Sequence, residues 1–245
     1  MEQIKISVRN LVEFILRSGD IDNRRGRAAQ KEAMQEGSKI HRKIQRRMGA
    51  SYQPEVSLKI ELKRQKYLLM IEGRADGIIE EEEQVTVDEI KGIFQDVNLL
   101  EGPAGVHLAQ AKCYAYIVAL QRQLSEISVQ MTYCNLDTEE IRRFREQYSF
   151  EELKEWFEGL IAAYEKWADF QYEAKVERNA SIAGLEFPFP YREGQKKLAG
   201  DVYRTINRKK ILFIQAPTGT GKTITTVFPA VKAVGEELAD KIFYL

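Results

Sequence analysis

The sequence predicts an α/β protein, with a mixed central sheet flanked by helices and then the opening of a parallel β-loop-α-β unit. Three observations predict it. Apolar and polar residues alternate through Val56–Leu62 and into Val85–Gly92, the period of half-buried strands. Apolar residues recur at helical spacing through Val8–Leu16 and about Val106–Gln121. An apolar run at Ile211–Gln215 leads into a glycine-bearing loop and a further helix.

A chain of 245 residues, 44% of them hydrophobic, has enough core for one large or two small domains. Lys plus Arg and Asp plus Glu both number 37, so net charge does not announce a nucleic-acid partner. Local charge is more telling. Arg24, Arg25, Arg27, Lys31, Lys39, Arg42, Lys43, Arg46 and Arg47 crowd one region, which can hold phosphates or form a solvated helix face. Two cysteines, Cys113 and Cys134, are too few for a disulfide framework and point to a reducing compartment. The N-terminus has no apolar signal core and no run approaches a membrane span, so a soluble, cytoplasmic protein is expected.

In order, Ile4–Val8 reads as a strand. Ser7 is placed to cap a helix reaching about Arg17, stopped by Ser18-Gly19-Asp20. Ile21–Arg27 reads as a basic loop and Ala28–Arg47 as a second helix, on which Gly37, His41 and Gln45 share a face at steps of four. Strands follow at Val56–Leu62, Tyr67–Ile79 and Val85–Gly92. The acidic turn Glu80–Glu83 makes the last two a hairpin. After a helix over about Val106–Gln121 comes a strand at Ile127–Tyr133. Asp137 or Thr138 then caps a long helix to about Arg178, with a break expected near Gly159. Pro188 and Pro190 forbid a helix and favour an extended linker. The domains read as 1–180, a linker 181–190, and 191–245. The last contains a helix at Glu193–Asn207, strands at Ile211–Gln215 and Ile242–Leu245, and a helix from Lys222 to about Ala239.

Side chains two apart on a strand share a face, so Glu89 and Lys91 point together, and the hairpin can bring Asp76 to them. Two carboxylates and an ammonium suit a divalent metal and a phosphodiester. Gln110 and Tyr114 lie one above the other on the next helix. His107 has no motif around it and reads as structural. Trp156 and Trp167 read as core packing, and Cys113 as a small buried hydrophobe.

The loop APTGTGKT follows the pattern Gly-x4-Gly-Lys-Thr, with Ala216 in the place of the first glycine. Thr218, Gly219, Thr220 and Gly221 would turn backbone N–H groups toward phosphates. Lys222 would reach the β/γ-phosphates, and Thr223 would ligate Mg²⁺. No acidic pair follows to complete an ATPase, so nucleotide turnover is not expected of this chain, which reads as a piece of a longer protein.

Two resemblances follow from these residues. The loop, with the upstream FPFPYREGQ, resembles the start of superfamily 2 helicases of the XPD–DinG branch, over about Phe187–Leu245. The resemblance implies a RecA-like ATP-binding domain in which Tyr191, Arg192 and Gln195 help hold ATP. The N-terminal part resembles PD-(D/E)XK nucleases of the RecB-like kind, through Gly37-x3-His41, Gly73-Arg74-Ala75-Asp76, Glu89-Ile90-Lys91 and Gln110-x3-Tyr114. That implies a restriction-endonuclease-like fold. It implies Mg²⁺ or Mn²⁺ held by His41, Asp76, Glu89 and the carbonyl of Ile90. Lys91 would orient the attacking water or stabilise the phosphorane, and Gln110 and Tyr114 would position DNA or the lysine. Some relatives carry a four-cysteine iron–sulfur cluster, which two cysteines cannot supply. The expectation is a metal-dependent DNA nuclease of exonuclease type, coupled to a DNA helicase in repair or recombination. Two alternatives are a nuclease-like DNA clamp that does not cut, and a nucleotide-binding protein with an unrelated N-terminal interaction domain.

Overall fold

The computed structural model describes residues 2–19, 27–82 and 84–245, with side chains in the helix that opens at Arg27 described from Glu36 onward. The described residues form a six-stranded mixed sheet with helices against it. Strand β1 is Glu2–Ser7 and helix α1 is Val8–Leu16, where Ser7 Oγ accepts the Asn10 N–H at 3.1 Å and so caps the helix. Helix α2 is Arg27–Arg47. Strands β2 (Tyr52–Lys63), β3 (Tyr67–Glu81) and β4 (Gln84–Ile93) form an antiparallel meander. Helix α3 (Gly105–Arg122) carries the chain to β5 (Glu126–Asn135), parallel to β4, and β6 (Ile141–Ser149) returns antiparallel to β5. Of the basic region, Arg24, Arg25 and the loop 21–26 lie outside the described residues, as do Glu83 and the side chains of Arg27 and Lys31.

The long strand β3 organises this sheet. One edge pairs with β2 almost throughout, from Lys63↔Leu68 to Tyr52↔Ile79. The other edge is shared. Parallel β1 takes Tyr67–Glu72, and β4 takes Gly77–Glu81. Between them, Gly73–Asp76 has no ladder partner on that edge, and the candidate site forms at this gap.

The sequence predicts a helix where β6 stands. Asp137 and Thr138 do not cap a helix, because both donate N–H groups at 2.8 Å to Asn135 Oδ1 and so form a tight turn into β6. The cap lies later. Ser149 Oγ accepts the Glu152 N–H at 3.3 Å while Glu152 Oε2 accepts the Ser149 N–H at 2.8 Å, a reciprocal capping box. Helix α4 then runs unbroken over Phe150–Ala183, through Gly159. Its buried face is Leu153, Phe157, Leu160, Ile161, Tyr164 and Ala168, whereas Trp167 is 42% exposed and lies edge-on to Phe14. Cys113 is buried, as a small apolar side chain in a core is.

The chain divides into two compact units, Met1–Ala168 and Asp169–Leu245. The second contains helices α5 (Gln195–Asn207) and α6 (Lys222–Gly235). The expected strands at Ile211–Gln215 and Ile242–Leu245 are not formed, so the parallel β-loop-α-β unit is absent. An apolar strand needs a ladder partner, and no described segment pairs with either run. Phe213 stands 92% exposed and Phe243 83%. Among the described residues, no helix is long and apolar enough to cross a membrane.

Candidate functional site

The gap in β3 brings side chains from β3, β4, α2 and α3 together. Asp76, on β3, is opposite Glu89 by the register that pairs Gly77 with Asp88. Its Oδ2 accepts the backbone N–H of Ile90 at 2.8 Å, a bond that a neighbouring strand would otherwise make. The N–H and C=O of one strand residue point to the same edge. The Ile90 carbonyl therefore also faces the gap, beyond the last paired residue.

Helix α2 reaches the site from one side. Ile40 and Ile44 seat it on Ile90 and Cys134, with Leu136 and Ile141 at the rim. A Cβ on Gly92 would stand 2.7 Å from Leu136, so glycine keeps this layer close. The ridge at steps of four then meets Asp76. His41 Nδ1 lies 3.2 Å from Asp76 Oδ1, and Gln45 Nε2 donates to the Asp76 carbonyl at 2.9 Å and to Glu55 Oε1 at 3.0 Å. Glu55, opposite Asp76 in β2, holds φ at 57°, a conformation non-glycine residues seldom adopt. The ladder skips this pair, and Gln45 takes up the carbonyl.

Helix α3 closes the other side. Lys91 Nζ donates to Glu89 Oε1 at 2.7 Å and to Gln110 Oε1 at 3.3 Å. The Tyr114 hydroxyl bonds the Gln110 side chain and the Arg74 backbone, and burial pushes it above the ordinary tyrosine range. A Cβ on Gly73 would lie 2.6 Å from that hydroxyl, so the ring needs the glycine. Glu89 is 1% exposed, and burial pushes its carboxyl up to about 7; the charge of Asp76 adds to this, and Lys91 and His41 oppose it. Its second oxygen, Oε2, is buried without a hydrogen-bond partner.

That orphaned oxygen is the observation that tests for a metal. A buried carboxylate oxygen with no donor is costly unless a cation completes it. Asp76 Oδ1, Glu89 Oε2 and the Ile90 carbonyl are hard oxygen donors, and Mg²⁺ needs only one or two carboxylates with waters filling the rest. Among the described residues no group of three His, Cys, Asp or Glu side chains stands close enough to hold an ion as it is. Asp76 Oδ2 is engaged by the Ile90 amide and Glu89 Oε1 by Lys91, which leaves one oxygen of each carboxylate and the Ile90 carbonyl as the candidate donors, with His41 beside Asp76.

Three further groups make contacts that the sequence did not mark. Asp88, on the opposite face of β4 from Glu89, is buried and accepts from Thr132 Oγ1 at 2.6 Å, Gln130 Nε2 at 3.0 Å and Tyr52 OH at 3.3 Å. The same tyrosine lies over Gly77. Gln45 was visible as a member of the Gly37–His41 ridge, but nothing marked its bond to Asp76. His107 lies one turn before Gln110 on α3. Burial and the charge of Lys91 lower its pKa to about 4. Its Nδ1 lies 3.1 Å from Tyr133 OH, which accepts the Ala104 N–H at 2.9 Å.

In the second unit, the loop residues and α6 make a cleft of about 510 Å³ lined by Phe187, Arg192, Gln195, Gly219, Gly221, Lys222 and Thr223, among others. Gly219 and Gly221 hold φ at 80° and 72°, and Gly221 caps α6. Gln195 is buried; its Oε1 accepts the Arg192 N–H and its Nε2 donates to the Thr220 carbonyl, both at 2.8 Å. Arg192 Nη1 donates to the Gly219 carbonyl at 2.6 Å. Lys222 Nζ bonds the carbonyls of Ala216 and Pro217 at 3.0 Å each, and Thr223 bonds Tyr244 at 3.1 Å. Tyr191 stacks on Phe187 at 4.1 Å, and Thr218 is exposed on the loop.

No protein-family model matches the chain. Over 47 residues it is 43% identical to a protein of Methanocaldococcus jannaschii named as a probable ATP-dependent helicase; the match spans 19% of this chain and 7% of that protein. The fold is similar to that of an alkaline exonuclease from Laribacter hongkongensis, with a TM-score of 0.47 at 12% identity over 73% of this chain and 94% of that one. It is also similar to a protein designated SSO0001, with a TM-score of 0.43 at 19% identity over 66% of this chain and 77% of that one.

Proposed function

We propose that the first unit is a metal-dependent DNA nuclease of exonuclease type that works with an ATP-dependent DNA helicase in repair or recombination. The observation that carries this reading is the gap in β3, where Asp76, Glu89 and Lys91 converge around a buried, unpartnered Glu89 Oε2. Asp76, Glu89 and the Ile90 carbonyl, with His41 beside them, would hold Mg²⁺ or Mn²⁺. When bound, the ion would supply positive charge against the scissile phosphate and acidify a water.

The chain's own residues supply the rest. Glu89 and Gln110 hold the Lys91 ammonium at one place, so its charge is already aimed when negative charge develops on the phosphate. Tyr114 fixes Gln110, and Gln45 fixes the backbone of Asp76. The Lys222 loop would take the phosphates of ATP, with Tyr191, Arg192 and Gln195 helping to hold the nucleotide. The 47-residue match to a probable ATP-dependent helicase supports the helicase part of the reading. Lys222 must first leave the carbonyls of Ala216 and Pro217.

The test is cleavage of end-labelled single- and double-stranded DNA with Mg²⁺, Mn²⁺ or EDTA, comparing the wild type with Lys91→Ala. Metal-dependent products that vanish in the variant support the reading, and the position of the shortened label gives polarity. A folded protein that binds DNA and cuts under no condition is a clamp instead.

A further inference from the structure

The C-terminal half of α2 has a second face. His41 and Gln45 turn toward Asp76. Next to them Arg42 and Arg46 form one ridge at steps of four, and Lys39, Lys43 and Arg47 form another on the far side of the helix from His41 and Gln45. These five side chains alone line an open groove of about 420 Å³. Two have counter-charges, Lys39 with Glu36 and Lys43 with Glu139. Arg42 donates only to the Ser38 carbonyl, at 3.2 Å, and Arg42, Arg46 and Arg47 have no ion pair among the described residues.

Folding does not explain this face. Ile40 and Ile44 seat the helix, and like charges four apart on one helix repel. The helix dipole favours cations in the last turn, which covers Arg46 and Arg47 but not Lys39, Arg42 and Lys43. An open groove of guanidinium and ammonium groups suits a ligand with repeated, exposed anions rather than one buried anion. The ridge from Lys39 to Arg47 rises about 12 Å along the helix axis, room for a few consecutive phosphates of an extended strand.

We propose that this groove is the track on which a nucleic-acid strand lies, its phosphates on Arg42, Arg46 and Arg47, as it approaches the gap at Asp76. The inference rests on the nuclease reading only for direction. Arg42 and Arg46 stand about 100° round the helix from His41 and Gln45, so a strand on that ridge passes beside the residues that face Asp76. The groove contributes affinity and register, not chemistry.

The experiment is fluorescence anisotropy of a labelled single-stranded oligonucleotide in EDTA, with the full chain and with the triple variant Arg42→Gln, Arg46→Gln, Arg47→Gln. Thermal melting confirms that the variant is folded. If it is not, the single variant Arg46→Gln replaces it. The expected result is binding weakened at least tenfold at low salt in the triple variant. The slope of log K against log salt should fall by about 2, near 0.7 for each single-strand phosphate that is no longer neutralised. For Arg46→Gln alone the expected slope change is one such step. Unchanged affinity and slope in a folded variant overturn the track. Equal competition by polyglutamate overturns its assignment to nucleic acid. Because EDTA removes cleavage from the readout, a chain that binds in this way but never cuts refutes the nuclease reading and leaves the track standing.

Discussion

Asp76 Oδ2 accepts the Ile90 N–H at 2.8 Å, so a side chain from β3 completes the edge of β4 where β1 has already ended. The carboxylate is thus both a structural acceptor and a candidate ligand, and substitutions can separate the two. Asp76→Asn keeps an oxygen for the amide and should melt within a few degrees of the wild type while losing metal-dependent cleavage. Asp76→Ala should lose cleavage and also about 1–3 kcal/mol of stability, because the Ile90 amide is left without its acceptor. Urea denaturation beside the nuclease assay distinguishes them.

Glu89 makes stability depend on pH in a stated direction. Its carboxyl is raised from 4.5 to about 7 in the folded chain, chiefly by burial. The protonated folded form is favoured, so the stability it contributes is full below pH about 4.5 and is lost as pH rises through about 7. The expected loss in EDTA is roughly 3 kcal/mol, and Glu89→Gln should flatten that slope. Added Mg²⁺ should raise the melting temperature more at pH 8 than at pH 5.

His107 should be neutral across the working range of pH. Its pKa is lowered to about 4 by burial first and Lys91 second, with Glu13 opposing and Arg9 adding. The stability linked to its neutral form is present above about 6.5 and is lost as pH falls through about 4. Tyr133 accepts the Ala104 N–H, so its own hydrogen goes to Nδ1, and nitrogen-15 chemical shifts should place the ring proton on Nε2.

Gly77 and Gly73 are held small by two tyrosines. A Cβ on Gly77 would lie 2.0 Å from the Tyr52 ring, and one on Gly73 2.6 Å from Tyr114 OH. Gly77→Ala should cost on the order of 1–3 kcal/mol by overpacking. Gly73→Ala should displace Tyr114 and Gln110, and so lower cleavage more than stability. Paired melting and activity measurements check both.

In the second unit, Lys222→Ala should weaken binding of a fluorescent ATP analogue. Gln195→Ala should do so as well, because Gln195 ties Arg192 to Thr220 across the loop. Equal affinity in both variants would remove the nucleotide reading from this cleft.

Much of the first unit is legible in sequence because its elements are local. Ser7 caps α1, β-branched alternation marks β4, and the helical spacing of α3 sets Gln110 over Tyr114. The strand β6 was not legible. Its residues IRRFREQYS are mostly polar, four of the nine charged, as suits a sheet edge, and its pairing to β5 depends on the Asn135 turn. The bond from Gln45 to the Asp76 carbonyl depends on Glu55 in β2 leaving the ladder, a backbone event with no composition signal. In the second unit the apolar runs at Ile211 and Ile242 read as strands, but periodicity cannot supply the partner that a strand requires.

The shared edge of β3 also sets an order of assembly. The β2–β3 and β3–β4 pairings close short loops, whereas β1 meets β3 across about sixty intervening residues. The meander can nucleate first and carries Asp76, Glu89 and Lys91 with it, while β1 and α1 dock afterwards. Mutations in β1 should then speed unfolding with little effect on the folding rate, and mutations in the β3–β4 hairpin should slow folding itself.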